Sequence, residues 1–374
     1  MIRIRRGIVQ KIISRRPGMT TVAVDIPGEL SGRAYNYDAV TGPVNEGDEV
    51  LLNTTAVAKN LGTGGSHFVM ANLTSPEKEM QQAGHIMKLR YSPGQVKVLA
   101  AEEPESPAAE MINKTDSLAG LPVVIGTLHS MVAPAAAGVK AVLGNESRVV
   151  YIMTDGAALP LWLSDSVYEL RQKGLIDATI TCGHAFGGDW ETINIYTALQ
   201  AAVAVAKADV AIVAMGPGIV GAASKFGFTG VEQGEIINAV NILGGNPVAI
   251  PRVSFADRRE RHRGLSHHTI TALGTVALTP STIVFPKLLD GNLAGLIQEQ
   301  AKAARLVKKH RLAIEDGSPA LELLQQQNIN VTSMGRTPED DPAFFLSAGA
   351  AGIHAGKLAA PKNQSIKIDL LPTR

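Results

Sequence analysis

Asp209-Val-Ala-Ile-Val-Ala-Met-Gly-Pro-Gly-Ile-Val-Gly221 is the stretch from which the fold can be read. It is a β-rich apolar run that ends in a glycine-rich loop. The same unit recurs on either side of it: Leu121–Ile125, Arg148–Met153, Ala178–Cys182 and Pro247–Val253 are comparable runs, several followed by loops that carry Gly, Asp or His. Between them lie stretches long enough for a crossover helix. Leu161–Lys173 has apolar residues at 161, 163, 167 and 170 and stops at Gly174. Glu191–Lys207 is rich in Ala, a strong helix former, and Glu232–Leu243 closes on Gly244-Gly245. Strands alternating with helices predict an α/β fold, a Rossmann-like, doubly wound parallel sheet covered on both faces. Further along, a long helix is expected near Gly291–Arg311. Ser318-Pro319 and Asp341-Pro342 each place an N-cap residue before a Pro, and Ile329–Thr332 reads as one more strand.

Residues 1–100 follow another pattern. Short β-branched runs (Ile2–Val9, Thr20–Val24, Glu49–Asn53, Phe68–Leu73 and Val96–Ala100) are separated by turn signals such as Arg16-Pro-Gly18 and Glu46-Gly-Asp48. This predicts a small β-barrel-like domain. Glu102-Glu-Pro-Glu-Ser-Pro107 is acidic and Pro-rich, so residues 101–118 read as a linker and residues 119–374 as the Rossmann-like domain with C-terminal helices. Residues 1–18 hold six Lys or Arg and no acid, which suits either a nucleic-acid footprint or an edge strand guarded by cations; the second reading is preferred.

Composition narrows the function classes. A net charge of +1 gives no global pull toward nucleic acid or anionic membrane. Aromatic residues make up 4%, which argues against a base-stacking surface, so nucleic acid is not the expected partner. One cysteine, Cys182, excludes an internal disulfide framework and Cys-based structural zinc, and a buried, inert thiol is its expected state. No apolar run approaches the roughly 20 residues that span a bilayer, and the first residues do not form a secretory signal, so a cytoplasmic location is expected.

In an open α/β sheet ligands bind at the carboxyl ends of the strands. There the sequence places Gly126-Thr-Leu-His129, Thr154-Asp-Gly156, Gly183–Glu191, Gly216–Gly221 and Phe255-Ala-Asp-Arg-Arg-Glu-Arg-His-Arg-Gly-Leu-Ser-His-His-Thr269. The last packs one Asp, four Arg and three His into fifteen residues, too many charges for an unpaired core. Arg258, Arg259, Arg261 and Arg263 suit a phosphate or carboxylate, with Arg252 and Ser266 as further ligand contacts. His184 and Asp189, with His267 or His268, offer imidazole and carboxylate ligands for a divalent metal, or proton carriers; Asp189 could also cap a helix and His184 merely brace its loop. Asp155 could bind the metal, act as a base or shape its turn. Gly216, Gly218 and Gly221 match GxGxxG, so NADP is the weaker alternative cofactor; it requires that loop to run straight into a helix, with Arg252 on the 2′-phosphate. His310 and His354 fall in helical patterns and read as structural.

The strings Met153-Thr-Asp-Gly156, Thr181–Asp189, Met215–Gly221, Ser254–Thr269 and Asp341–Phe345 resemble a bacterial family catalogued as domain of unknown function 3866. The resemblance covers essentially the whole chain and implies no activity, so no site residue is carried over from it. The residues themselves point to an enzyme acting on a small anionic, phosphorylated or nucleotide-like ligand by metal-assisted hydrolysis or phosphoryl transfer. The alternatives are an NADP-dependent oxidoreductase and a non-catalytic ligand sensor or assembly protein. Homo-oligomerisation is left open.

Overall fold

The computed structural model describes residues 1–29, 31–62, 65–80 and 83–361. The chain divides into two units, Met1–Ala83 with Leu89–Lys97, and Gly84–Lys88 with the chain from Val98 on.

The first unit is a closed five-stranded barrel in the order β1 (Ile4–Arg16), β2 (Met19–Asp25), β3 (Gly32–Tyr37), β5 (Ser66–Asn72), β4 (Glu49–Asn53). Its β1 is long enough to pair with β2 through residues 8–16 and with β4 through residues 4–8, and two register shifts within it supply the bend that closure needs. Gly7, ahead of these shifts, pairs with Val50, and a Cβ there would lie 2.8 Å from Leu52 Cδ1. Val9, Val22, Val24, Ala34, Val50, Leu52 and Val69 fill the interior. The barrel corrects the edge-strand expectation. Both sides of β1 are paired, and its arginines are used locally: Arg3 and Arg5 pair with Glu29, and Arg6 with Glu49.

The second unit is α/β. Its eight-stranded parallel sheet contains β8 (Pro122–Ile125), β9 (Val149–Thr154), β10 (Ala178–Thr181), β11 (Trp190–Glu191), β12 (Val210–Met215), β13 (Asn246–Ala249), β16 (Thr282–Pro286) and β17 (Arg311–Glu315). The spatial order is β11-β10-β9-β12-β8-β13-β16-β17. Successive strands first step away from β8 on one side, then return to place β12 beside it and continue on the other. The loops after β9, β12, β8 and β13 therefore lie together where the winding reverses, the place at which such sheets bind ligands. Alternate strand residues serve opposite faces. Val123, Ile125, Ile152, Val213 and Ile283 pack in one cluster with α6 (Ile195–Ala204), α7 (Glu232–Ile242) and α9 (Gly291–Ala303). Val124, Tyr151, Ile212, Val248 and Val284 pack in the other with α4 (Val132–Leu143), α10 (Ser318–Gln326) and α11 (Pro342–Ala359).

Four sequence expectations are corrected here. The stretch 101–118 is not a free linker: α3 (Ala109–Asn113) packs on α6, and Ala101, Ala108, Ile112 and Leu118 enter the core. Small apolar residues spaced among its prolines were enough to dock it. The helix expected to Arg311 stops at Ala303, because Arg305 takes a left-handed conformation (φ 56°) and the chain then enters β17. Residues 329–332 form no strand. Finally, the run 247–253 is split by Pro251: β13 ends at Ala249, and Val253–Ser254 (β14) pairs antiparallel with Gly264–Leu265 (β15). The Arg/His segment is thus a hairpin excursion above the sheet. No helix among the described residues is long and apolar enough to cross a membrane.

Candidate functional site

The β14–β15 hairpin gathers three histidines. His262 ends a one-turn helix at the hairpin tip, while His267 and His268 open α8 (His267–Thr271) just beyond its return strand. Ser266 joins them. Its Oγ caps α8 by accepting the amide of His268 (3.2 Å) and lies 2.7 Å from His262 Nδ1. The ring centroids are 4.4–4.8 Å apart, and one nitrogen from each ring lies within 4.8 Å of the others. Among the described residues this is the only set of three potential metal ligands that converges in this way. Phe228 stacks on His268 with centroids 3.8 Å apart and planes 3° from parallel, which closes one side.

Electrostatics keeps these rings neutral. Burial, reinforced by Arg252, pushes His262 and His268 down to about 3. His267 is lowered too, by burial first and then by Arg261. Arg252 is 2% exposed, with Nη1 3.4 Å from His268 Nδ1 and Nη2 3.3 Å from Asp257 Oδ2. Asp257 in turn binds Arg259 through the amide (3.0 Å), Nε (2.9 Å) and Nη2 (2.7 Å). Ser254 Oγ meets the amide of Asp257 and donates to Asp341, which also accepts from Arg336. His267 Nε2 and Arg252 Nε are buried without a hydrogen-bond partner among the described residues. His267 Nε2 is thus not engaged by the protein, whereas Arg252 Nε, a donor only, could not ligate a metal. Neutral imidazoles suit zinc and its neighbours. Arg252 Nη1, which can only donate, faces His268 Nδ1, so that nitrogen accepts, the ring proton sits on Nε2, and His268 would join a metal only by exchanging this contact. The donor set fits a divalent transition metal.

Other residues singled out in the sequence have different work. His184 and Asp189 do not join the histidines. Because β11 lies parallel beside β10, the loop between them doubles back, and Asp189 ends beside the start of β10, where it pairs with Arg171 and accepts the amide of Thr179 (2.8 Å). Asp155 accepts the amide of His184 (3.1 Å), and a Cβ on Gly183 would touch its carboxylate, so it braces this loop. His129 lies between Tyr151 Oη (3.2 Å) and Ser164 Oγ (2.7 Å). Cys182 is buried, and burial pushes its thiol up to about 12.

Gly216, Gly218 and Gly221 lie in the loop after β12, and Gly221 approaches His268. The loop does not start a helix. Gly221 bridges back to Phe228, and α7 begins only at Glu232, so the amides of a helix N-terminus are not presented as a dinucleotide pyrophosphate requires. Arg252 is equally unavailable for a 2′-phosphate, because Asp257 holds it. Arg258, Arg261 and Arg263 are exposed.

Two residues went unread. His262 is one, although the spacing His262-x4-His267-His268 was available in the sequence. The other is Glu232, which has no distinguishing signal because a Glu in a helix's first turn is ordinary. It accepts from Thr154 Oγ1 (2.7 Å) at the carboxyl end of β9, and burial pushes it up to about 7. The folded protein therefore favours the protonated acid. Stability from this group is complete below pH 4 and is lost as pH rises toward 7. Glu232→Gln should leave stability at pH 4 unchanged and raise it by about 1–2 kcal/mol at pH 8 in urea titrations. Equal effects at both pH values would contradict this.

A family model described as "Protein of unknown function (DUF3866)" matches residues 33–352. No curated protein and no solved structure matches the chain.

Proposed function

We propose, for a chain that belongs to the DUF3866 family, an enzyme that hydrolyses or transfers a group of a small anionic substrate with the help of a divalent metal. The observation that carries this is the convergence of His262, His267 and His268, three neutral imidazoles with nitrogens within 4.8 Å, at the sheet edge where ligands are expected. When bound, the metal would polarise the substrate and lower the pKa of a water molecule. Ser266 holds His262 and His268 in place, and Phe228 limits water on one side. Arg258, Arg261 and Arg263 extend from the same hairpin and carry no ion pair among the described residues, which suits them to collecting an anion. Arg252 and Arg259 are committed to Asp257 and organise the site instead.

Metal analysis of purified protein tests the reading. The chain should retain about one equivalent of zinc, iron, manganese or a similar metal, and His262→Ala and His267→Ala should each reduce that by more than tenfold. His184→Ala should keep it. Metal-free wild-type protein that fails to bind added zinc, or unchanged binding in both variants, would sink the proposal.

A further inference from the structure

We infer that the substrate, on the functional reading above, is a phosphate monoester with an apolar body, seated in a groove on the outer side of the histidine-bearing hairpin. Two clefts of about 440 and 610 Å³ share Ala256 and Asp340 as walls. Each falls within the size range of small-molecule sites. The smaller is lined by Phe255, Leu288, Leu289, Leu293, Pro342 and Leu346. The larger is lined by Arg258, Arg259, Arg336 and Asp257. Residues 287–289 directly follow β16, so the groove opens at the same carboxyl edge of the sheet as the histidines.

Charge decides the occupant's head. Every carboxylate bordering the groove is already held. Asp257 takes Arg259 and Arg252, and Asp341 takes Ser254 and Arg336. Asp340 accepts the amide and hydroxyl of Thr337, and Asp290 caps α9. Arg258 and Lys287 make no ion pair or side-chain hydrogen bond among the described residues, so the unanswered charges are cationic; a guanidinium matches the paired oxygens of an anionic head, which on the functional reading above is a phosphate. The other cleft sets the body. Leu289 is fully exposed there, and Leu288 and Leu293 are half-buried, which leaves apolar surface next to the cations. A polar sugar phosphate would answer only the head; an alkyl or aryl phosphate answers both.

Calorimetric titration of the full chain, stripped of metal with EDTA, with inorganic, ethyl, butyl and hexyl phosphate tests this apart from any metal chemistry. Affinity should rise about fourfold per buried methylene. Leu293→Asn should flatten that rise without weakening inorganic phosphate, and Arg258→Ala should weaken every phosphate several-fold. Hexanol should not bind measurably. Affinity independent of chain length, or a rise that survives Leu293→Asn, would overturn the inference. A rise with chain length in a protein whose histidines bind no metal would support the groove while refuting the metal-dependent reaction.

Discussion

Gly352→Val is expected to destabilise the α/β unit by about 3 kcal/mol or more, with much of the protein recovered insoluble. Helices α4 and α11 cross through glycine. A Cβ on Gly352 would stand 2.1 Å from the carbonyl oxygen of Ala135, and one on Gly138 would stand 2.4 Å from that of Gly349. These obstacles are backbone atoms of packed helices, so no rotamer change relieves them. The helices would have to separate, and α11 also carries the buried Phe344 and Phe345 into the core. Leu358→Ala, at an exposed position of the same helix, is the matched control and should change stability by less than about 0.5 kcal/mol. Urea denaturation that finds Gly352→Val within 1 kcal/mol of wild type would refute the close crossing.

The second large effect is expected at Asp257. Its side chain is 3% exposed and lies between Arg252, which is equally buried, and Arg259. Asp257→Ala leaves the Arg252 guanidinium buried beside three neutral histidines without its counter-charge. Removing one partner of a buried pair typically costs 3–5 kcal/mol. The hydrogen bonds from Arg259 hold the Asp257 carboxyl far below the ordinary carboxylate range. Its contribution is therefore complete above about pH 4, where the unfolded carboxyl is ionised too, and fades only as pH falls below that. Thermal unfolding should show a nearly constant gap between wild type and Asp257→Ala from pH 8 to pH 5. A gap that closed already at pH 6 would show that Asp257 is not the ionised partner of Arg252. If the variant proves too unstable to purify, Asp257→Asn keeps the shape while removing the charge and should show a smaller gap with the same pH dependence.

Fold class was legible because it depends on local pattern. The apolar runs at 121–125, 148–153, 178–182 and 209–215 coincide closely with β8, β9, β10 and β12, since a strand buried on both faces must be continuously apolar. Where tertiary packing overrides the pattern, the sequence misled. The Pro-rich stretch 101–118 looks like a tether, yet Ile112 and Leu118 find a surface to bury against. The cationic β1 looks like an exposed edge, yet the barrel closes over both its sides.

The site divides along the same line. The dense Arg/His segment was visible at once, because such charge has no place in a core. Which of its residues converge was not. Ser254–Thr269 spans a hairpin and a helix start, and only their folding places His262 over His267 and His268. His184 and Asp189 looked equally suitable, but a two-residue parallel strand turns their loop back along β10. Hydrophobic period carried the α/β class and the barrel, and local charge marked the segment that holds the candidate site. Which histidines converge and which arginines pair with carboxylates came from the folded chain alone, because both depend on distances between segments that no periodicity encodes.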